Sequence, residues 1–337
     1  MKNPRHTRKG SVLIVALWAI IMLSMIVSSL AFQMHLEARL ASHYRKRVKA
    51  KQLALAGMEY AKFMLYKSVS SSQDDEEEYG EQFYNYLLNL RNSVGVNSFS
   101  SELGEGTFTI DILPEQGRRN VNTMTYEDWQ EMLDQAGLPK DRWAEFIDTL
   151  MDWVDTDNNN RRKGAEENDD YYKDAEYEIK NAPIDTIDEI LMIKNWNRNL
   201  LYGGPGLEDG DPPIRGIASL ITTWGNGKVN VNTATRDVLL SMTELDEFDV
   251  DLILENRTGI DAIPGTEDDG FTSVAEVDSL VNAGGALNNR ITVDDKQYMR
   301  IKSVGEVGGS RATVWAVYLI SSRDMTPVFW EEADEDK

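Results

Sequence analysis

Residues 12–32 read VLIVALWAIIMLSMIVSSLAF and contain no charged side chain. At a rise of about 1.5 Å per residue, a helix of this length spans the roughly 30 Å hydrocarbon core of a bilayer. Four basic residues precede it, Lys2, Arg5, Arg8 and Lys9, and a basic flank of this kind favours the cytoplasmic side. The segment therefore predicts a single transmembrane helix, with the body of the chain on the opposite side of the membrane.

The helical pattern continues beyond the apolar segment. Residues 33–69 contain no proline and a single glycine, Gly57, which favours one helix of about 55 to 60 residues. A signal anchor followed by a separate amphipathic helix fits the same pattern. A second basic cluster at residues 39–51 weakens the orientation evidence, because it lies on the supposed outer side. Apolar residues at roughly helical spacing predict one buried stripe: Leu36, Leu40, Val48, Leu53, Leu55, Met58, Phe63 and Leu65.

Composition excludes several classes of function. The 337 residues include no cysteine and three histidines, which excludes a cysteine-ligated metal site and leaves little material for histidine-based catalysis. Residues 1–51 carry ten Lys and Arg against one acidic residue, whereas the rest of the chain carries 25 basic and 56 acidic residues. Such an acidic body repels phosphate backbones, so we expect no nucleic-acid partner. We also expect no enzyme activity; a membrane-anchored hydrolase using Asp155 and Glu166 is the weaker alternative.

Three runs alternate apolar and polar residues, as half-buried strands do: 106–113 (GTFTIDIL), 297–307 (QYMRIKSVGEV) and 311–320 (RATVWAVYLI). Gly308 and Gly309 between the last two runs indicate a hairpin. The simplest architecture is α+β, with a small antiparallel sheet packed on the long helix and a helical insertion from about residue 120 to 290.

The insertion is internally repetitive. Asn122-Thr123 matches Asn232-Thr233 at a separation of 110 residues, and residues 183–193 align with residues 270–280 at an offset of 87. Each threonine precedes a helix-forming run and is predicted to cap it. The pattern indicates two copies of a compact multi-helix unit.

An acidic loop between these repeats has the spacing of a calcium-binding EF-hand. Counting from Asp155, oxygen-bearing side chains occupy positions 1, 3, 5 and 12, which are Asp155, Asp157, Asn159 and Glu166. Asp169 lies just beyond and, with Glu166, is the preferred candidate to complete a calcium shell. A merely solvated acidic loop is the alternative interpretation.

Positions 7 to 9 of this loop are basic, Arg161, Arg162 and Lys163. Like charges near a cation are unfavourable, so we expect these three side chains to point away from it.

A second, weaker metal candidate is the group Asp261, Glu267, Asp268 and Asp269, because four carboxylates in nine residues repel one another without a counter-ion.

The repeated units resemble helix-hairpin-helix modules, some of which bind a DNA phosphate through the backbone amides of a glycine-containing hairpin. Residues 242–254 stand at the position of that hairpin. Here they contain no glycine and five acidic residues, which disfavours phosphate binding.

The leader carries a resemblance to a known family. Arg8-Lys9-Gly10-Ser11 before an apolar helix resembles the class III leader of type IV pilins and type II secretion pseudopilins, which prepilin peptidase cuts after the glycine, here between Gly10 and Ser11. Most members carry glutamate five residues after the cut, where this chain has Val15. Lack of that glutamate is typical of the minor pseudopilin K family. Residues 57–65 and 152–172 also resemble that family. A carboxylate buried in the membrane is costly unless it is paired, and in these filaments it is thought to pair with the N-terminal amine of a neighbouring subunit. A subunit without this glutamate needs no such partner, which suits the first position of a filament.

The resemblance implies a fold. A long N-terminal transmembrane helix would pack on a small antiparallel sheet, and a large inserted all-α domain would contain two SAM-like, helix-hairpin-helix-like modules. The expected divisions are a leader at 1–10, the N-terminal helix at 11–70 with its transmembrane part at about 12–32, an α/β domain at 71–119 and 291–330, the insertion at 120–290 and an acidic tail at 331–337.

The resemblance also implies a function. The chain would be a noncatalytic minor pseudopilin at the tip of the type II secretion pseudopilus, supporting initiation of its assembly and protein export across the outer membrane. Implied partners are the minor pseudopilins I and J, the major pseudopilin and prepilin peptidase, with pseudopilin H as a further candidate. Calcium is the implied cofactor, Ser11 would be N-methylated, and the chain would cross the inner membrane once with its body in the periplasm. The alternative is an anchored pilin-like adhesin or binding module outside a secretion machine.

Overall fold

The computed structural model describes residues 11–69, 86, 87, 90, 97–207, 210–260, 268–293, 297–321 and 324–333. Helix α1, Ser11–Val69, runs without interruption for 59 residues. Its side chains from Val12 to Leu40 are exposed, and within the described residues it is the one helix long and apolar enough to cross a membrane. The long apolar N-terminal helix predicted from the sequence is therefore confirmed.

The strands that follow are, in chain order, β1 Asn97–Leu103, β2 Gly106–Pro114, β3 Arg119–Asn120, β4 Ile221–Thr222, β5 Val229–Asn230, β6 Ile291–Thr292, β7 Tyr298–Val307, β8 Ser310–Ile320 and β9 Met325–Ala333. The described helices after α1 are α2 Tyr126–Gln135, α3 Trp143–Val154, α4 Asp170–Lys173, α5 Arg198–Tyr202, α6 Arg236–Leu240, α7 Glu247–Asn256 and α8 Val274–Leu280. Short 3-10 turns occur at Glu115–Gly117, Lys140–Arg142 and Ile187–Met192.

Five strands form one antiparallel sheet in the order β1-β2-β7-β8-β9. The second half of α1 packs on β2, β7 and β8. Between β2 and β7 the chain leaves the sheet and builds the remaining helices. The predicted α+β fold, a long helix on an antiparallel sheet with helices inserted between its strands, is therefore confirmed.

The face of α1 that meets the sheet carries mainly small and flexible apolar side chains. The buried ones are Ala50, Leu53, Ala54, Met58, Ala61, Met64 and Leu65. The predicted stripe is wrong for Leu36, Leu40, Val48 and Phe63, which are exposed. The first three precede the part of α1 that the sheet covers, and Phe63 points away from the seam.

Two glycines allow α1 to lie very close to the sheet. A Cβ atom on Gly305 of β7 would lie 2.0 Å from the Ala50 carbonyl oxygen and 2.6 Å from the Ala54 nitrogen. A Cβ atom on Gly57 of α1 would lie 2.3 Å from the Ser303 hydroxyl oxygen. Any side chain at either position would push helix and sheet apart.

The second basic cluster of α1 holds the helix against the rim of the sheet. Lys46 donates to the Gly308 carbonyl at 3.3 Å, and Lys49 and Lys51 form ion pairs with Glu105 and Glu332. These contacts give the cluster a structural role that is independent of membrane orientation.

The predicted hairpin between β7 and β8 is present. Val307 pairs with Ser310, and Gly308 and Gly309 have φ angles of 54° and 84°. Positive φ at both turn residues is the type I′ geometry that the twist of paired strands favours, and glycine adopts it without strain.

The two edge strands were not predicted. β1 reads NSFSSEL and is rich in serine, and β9 reads MTPVFWEEA and contains Pro327. Polar residues and proline are tolerated at sheet edges, where one row of backbone groups needs no partner strand. β9 continues through Ala333, three residues into the segment predicted as an acidic tail.

The insertion contains two equivalent units. β3 pairs in parallel with β4, and β5 pairs in parallel with β6. The Asn122 side chain bonds both the carbonyl and the amide of Ile184, at 2.9 and 2.8 Å. Asn232 bonds both groups of Phe271 in the same way, at 3.0 and 2.8 Å. The repeated residues thus make the same contacts in each unit, as expected for a duplication.

The helix caps lie two residues beyond the predicted ones. Thr125 caps α2 and Thr235 caps α6, each accepting a hydrogen bond from a backbone amide. Thr123 and Thr233 instead donate their hydroxyls to the Asn120 and Asn230 carbonyls. The prediction failed because each sequence offers two threonines before its helix.

Buried contacts join the insertion to the sheet. Glu115 is fully buried, forms an ion pair with Arg300 of β7 and accepts from the Thr222 hydroxyl at 2.7 Å. On the face of the sheet away from α1, the Trp224 ring lies 5.8 Å from the Phe329 ring. The insertion is therefore held against the sheet opposite the long helix.

Candidate metal centre

Helix α3 leads directly into the acidic loop. Phe146, Leu150 and Trp153 bury one face of the helix in the core of the insertion. Asp155 follows with extended backbone angles, φ −78° and ψ 172°, and ends the helix. Burial of α3 therefore holds the start of the loop in a defined position.

Two further carboxylates of α3 hold the loop against the helix. Asp148 accepts from the Lys163 amide at 3.0 Å, and Asp152 accepts from the Arg161 amide at 3.1 Å. A Cβ atom on Gly164 would lie 1.8 Å from an Asp152 oxygen, so only glycine permits this approach.

Sequence analysis did not identify Asp148 and Asp152, although a signal was present. They are four residues apart and so share one face of α3. Asp152 also lies in the last turn of α3, where an acidic residue is unfavourable next to the helix dipole. Its presence there points to compensating donors, which the loop amides supply.

The fold brings together three of the predicted ligands. Asp155, Asp157 and Glu166 each offer a carboxylate oxygen, and these three oxygens lie within 4.8 Å of one another. Glu166 is 1% exposed, and among the described residues neither of its carboxylate oxygens has a hydrogen-bond partner; the same holds for Asp155 Oδ1. Buried carboxylate oxygens without partners are costly, and a bound cation would satisfy them.

The electrostatics of the cluster are those of an uncompensated acidic site. Burial, followed by the charges of Asp152, Asp155 and Asp157, raises the pKa of Glu166 to about 7. Burial also raises the pKa of Asp152 to about 6, against the hydrogen bond from the Arg161 amide. Without a cation, ionisation of the full cluster is therefore unfavourable near neutral pH.

The donor set fits a hard cation. Every converging atom is a carboxylate oxygen, the ligand type that calcium takes, whereas zinc prefers nitrogen and sulfur. Calcium typically takes about six to eight oxygens, so carbonyl groups or water would complete the shell.

The other two predicted ligands, Asp169 and Asn159, make contacts of their own. Asp169 forms an ion pair with Lys194 at 2.7 Å and caps α4 by accepting from the Tyr171 amide at 2.9 Å. Asn159 donates its backbone amide to Asp157 Oδ1 at 2.8 Å, which shapes the loop. Its side chain is exposed.

The expectation that all three basic loop residues point away is wrong for Arg161. Its guanidinium lies 3.4 Å from Asp152 Oδ1 and 3.5 Å from Asp155 Oδ2. The attraction of several nearby carboxylates outweighs the cost of ordering the side chain.

The remaining predicted sites fall largely outside the described residues. Gly10 lies outside them, and Ser11 is the first residue of α1. In the second acidic loop, Asp261 and Glu267 lie outside them as well, and Asp268 accepts from the Ile260 amide at 2.7 Å. Asp269 is 9% exposed.

Comparison with known proteins supports the fold and the family resemblance. The architecture defines a pilin-like subunit with a single-pass N-terminal anchor helix. Residues 87–202 match the family "Type II secretion system (T2SS), protein K", and residues 9–59 match "PilX N-terminal". The type II secretion system protein K of Pseudomonas aeruginosa is 22% identical over 263 residues, covering 75% of this chain and 73% of the relative.

A solved structure confirms the fold. A chain of the GspK-GspI-GspJ complex from the type 2 secretion system of enterotoxigenic Escherichia coli aligns with a TM-score of 0.57 at 13% identity, covering 89% of this chain and 100% of that chain. The predicted resemblance is therefore confirmed: the chain is similar to the type II secretion system protein K family over residues 87–202 and to a protein K of that system over 75% of its length.

Proposed function

We propose that this chain is a noncatalytic minor pseudopilin at the tip of the type II secretion pseudopilus, where it supports initiation of assembly and export across the outer membrane. The observation that carries the proposal is the insertion, held on the sheet by Trp224 against Phe329 and by Glu115 with Arg300. A folded body attached to the sheet in this way restricts stacking of a further subunit above it. The end of the filament has no such subunit.

The proposed partners are the minor pseudopilins I and J and the major pseudopilin, with pseudopilin H as a further candidate. Support comes from the Escherichia coli complex, which by its name joins GspK to GspI and GspJ. The exposed part of α1 beyond the membrane segment, including Leu36, Leu40 and Val48, offers an apolar helical surface for such assembly.

We propose that prepilin peptidase cuts between Gly10 and Ser11, and that the new N-terminus at Ser11 is methylated. The chain then crosses the inner membrane once through residues of about 12–32, with its body in the periplasm. The exposed apolar side chains of α1 and the basic residues before it support this arrangement. Val15 leaves no carboxylate in the hydrocarbon that would require a partner amine.

Calcium is the proposed cofactor, held by Asp155, Asp157 and Glu166. A bound calcium ion would supply two positive charges to a cluster of carboxylates. The chain's own contribution is to hold those oxygens close together through the rigid end of α3 and the loop contacts of Asp148 and Asp152. The ion would thereby stabilise the fold of the insertion.

The location within the filament is testable in cells that assemble long pseudopili from the major subunit. An affinity-tagged full-length chain, detected by gold labelling, should occur only at filament ends and should co-purify with I and J. The variant Gly10→Ala should be absent from filaments, and its N-terminal sequence should show that the leader has not been removed. Label distributed along the shaft would refute the tip location, and N-terminal sequencing of the tagged chain that found a cut other than after Gly10 would refute the leader assignment.

A further inference from the structure

The acidic cluster beside α3 has an internal source of positive charge. Asp152, Asp155, Asp157 and Glu166 bring four carboxylates together, and Asp152 and Glu166 are almost fully buried. Within the described residues, Arg161 is the basic side chain that forms ion pairs with members of this group. It occupies loop position 7, between ligand positions of the proposed calcium site.

Arg161 reaches the cluster from one side. Its Nε atom lies 3.4 Å from Asp152 Oδ1, and its Nη2 atom lies 3.5 Å from Asp155 Oδ2. In the part of the chain that the structure describes, the other oxygen of Asp155, Oδ1, and both oxygens of Glu166 have no hydrogen-bond partner. One guanidinium therefore neutralises part of the cluster and leaves the oxygens that a metal ion would take.

The two contacts of Arg161 with the loop can be separated. Its backbone amide holds the loop by donating to Asp152 at 3.1 Å. Its side chain is 45% exposed, so the guanidinium can move into solvent without disturbing that bond. A substitution of the side chain therefore tests its charge and leaves the backbone tether in place.

We propose that Arg161 is an intramolecular counter-cation that competes with calcium for the charge of this cluster, so that its side chain lowers the calcium affinity of the site. The inference rests on the proposed calcium function. In the absence of calcium, the guanidinium stabilises the loop by offsetting repulsion between carboxylates. When calcium binds, the guanidinium competes for Asp155 and repels the ion, and both effects weaken calcium binding.

The test is isothermal titration calorimetry of calcium chloride into the full-length chain in detergent, at constant ionic strength in metal-free buffer. We expect Arg161→Gln to bind calcium about three- to tenfold more tightly than the unmodified chain, because a charge near the ion is removed. Arg161→Lys keeps the charge and should lie close to the unmodified chain. Arg162→Gln is the matched control, because Arg162 is exposed and has no ion pair within the described part of the chain.

A second measurement distinguishes competition from a general effect on folding. In EGTA, Arg161→Gln should lower the melting temperature, and in saturating calcium this difference should disappear or reverse. If the unmodified chain binds calcium and Arg161→Gln binds equally or more weakly, the role of Arg161 is refuted while the calcium site stands. If no variant binds calcium, the site itself is refuted, and the inference fails with it.

Discussion

Replacing Glu166 with Gln should stabilise the cation-free protein near neutral pH and abolish its response to calcium. Glu166 is 1% exposed, its carboxylate oxygens have no hydrogen-bond partners within the described ranges, and its pKa is raised to about 7 by burial and by neighbouring carboxylates. Glutamine keeps the shape of the side chain and removes its charge. The variant therefore isolates the electrostatic cost of this group.

The magnitude follows from the pKa. A rise from 4.5 to about 7, at about 1.36 kcal/mol per pKa unit, means that ionising Glu166 in the cation-free folded state costs on the order of 3 kcal/mol. The buried amide of glutamine keeps a desolvation cost of about 1–2 kcal/mol. The net gain in the free energy of unfolding should be about 1–2 kcal/mol at pH 7.5.

The pH dependence has a defined sign. Since the folded-state pKa of Glu166 exceeds its unfolded value, the folded state binds more protons between these values. Its contribution to stability is complete below pH 4.5 and is lost as the pH rises through about 7. In Glu166→Gln, the loss of stability between pH 4.5 and about 7 that Glu166 causes should be absent. Calcium should restore stability only to the unmodified chain.

Urea denaturation of the full-length chain in detergent, followed by tryptophan fluorescence, measures both effects. The ring of Trp153 lies 5.9 Å from that of Tyr172 in the insertion, so its emission reports on the region beside the loop. The control is Glu167→Gln, which removes an exposed charge one residue away. Equal stability of Glu166→Gln and the unmodified chain in EGTA at pH 7.5, or a calcium response retained by the variant, would contradict the reasoning.

Three other predictions concern the fold. Gly305→Val should lower the free energy of unfolding by about 2 kcal/mol or more, because its Cβ would lie 2.0 Å from a backbone oxygen of α1; an unchanged urea midpoint would refute the close helix–sheet contact. Asn122→Ala and Asn232→Ala should each lower the free energy of unfolding by about 1–3 kcal/mol, because each substitution leaves one backbone amide and one carbonyl without their hydrogen-bond partner. A loss of stability in only one of the two variants would contradict the equivalence of the units. A double-mutant cycle of Trp224→Ala and Phe329→Ala should give a coupling of about 0.5–1.5 kcal/mol, and additive losses would show that the rings do not join insertion and sheet.

The sequence predicted best where one physical requirement dominates a long stretch. The 59-residue helix follows from an apolar segment and a proline-free continuation, and the hairpin at Gly308 and Gly309 follows from the need for positive φ. Three carboxylates that EF-hand spacing singled out as candidate ligands, Asp155, Asp157 and Glu166, are brought together by the fold.

Prediction failed where long-range contacts decide the outcome. Asp169 carries a carboxylate at a suitable distance in sequence, yet Lys194 and the start of α4 engage it. Asp148 and Asp152 matter because loop amides fold back onto α3. The edge strand β9 was missed because Pro327 and two glutamates mask its pattern, and such residues are tolerated only where no further strand pairs.

The amino-acid order by itself determined the membrane helix, the acidic loop and the duplicated asparagines, because each depends on local periodicity, charge or spacing. The tertiary structure alone decided that glycines bring α1 onto the sheet, that Glu166 is buried without a partner, and that Arg161 turns towards the carboxylates rather than away from them. Burial and approach distance depend on residues remote in the chain, and they set the energy of a charge more strongly than its position in sequence does.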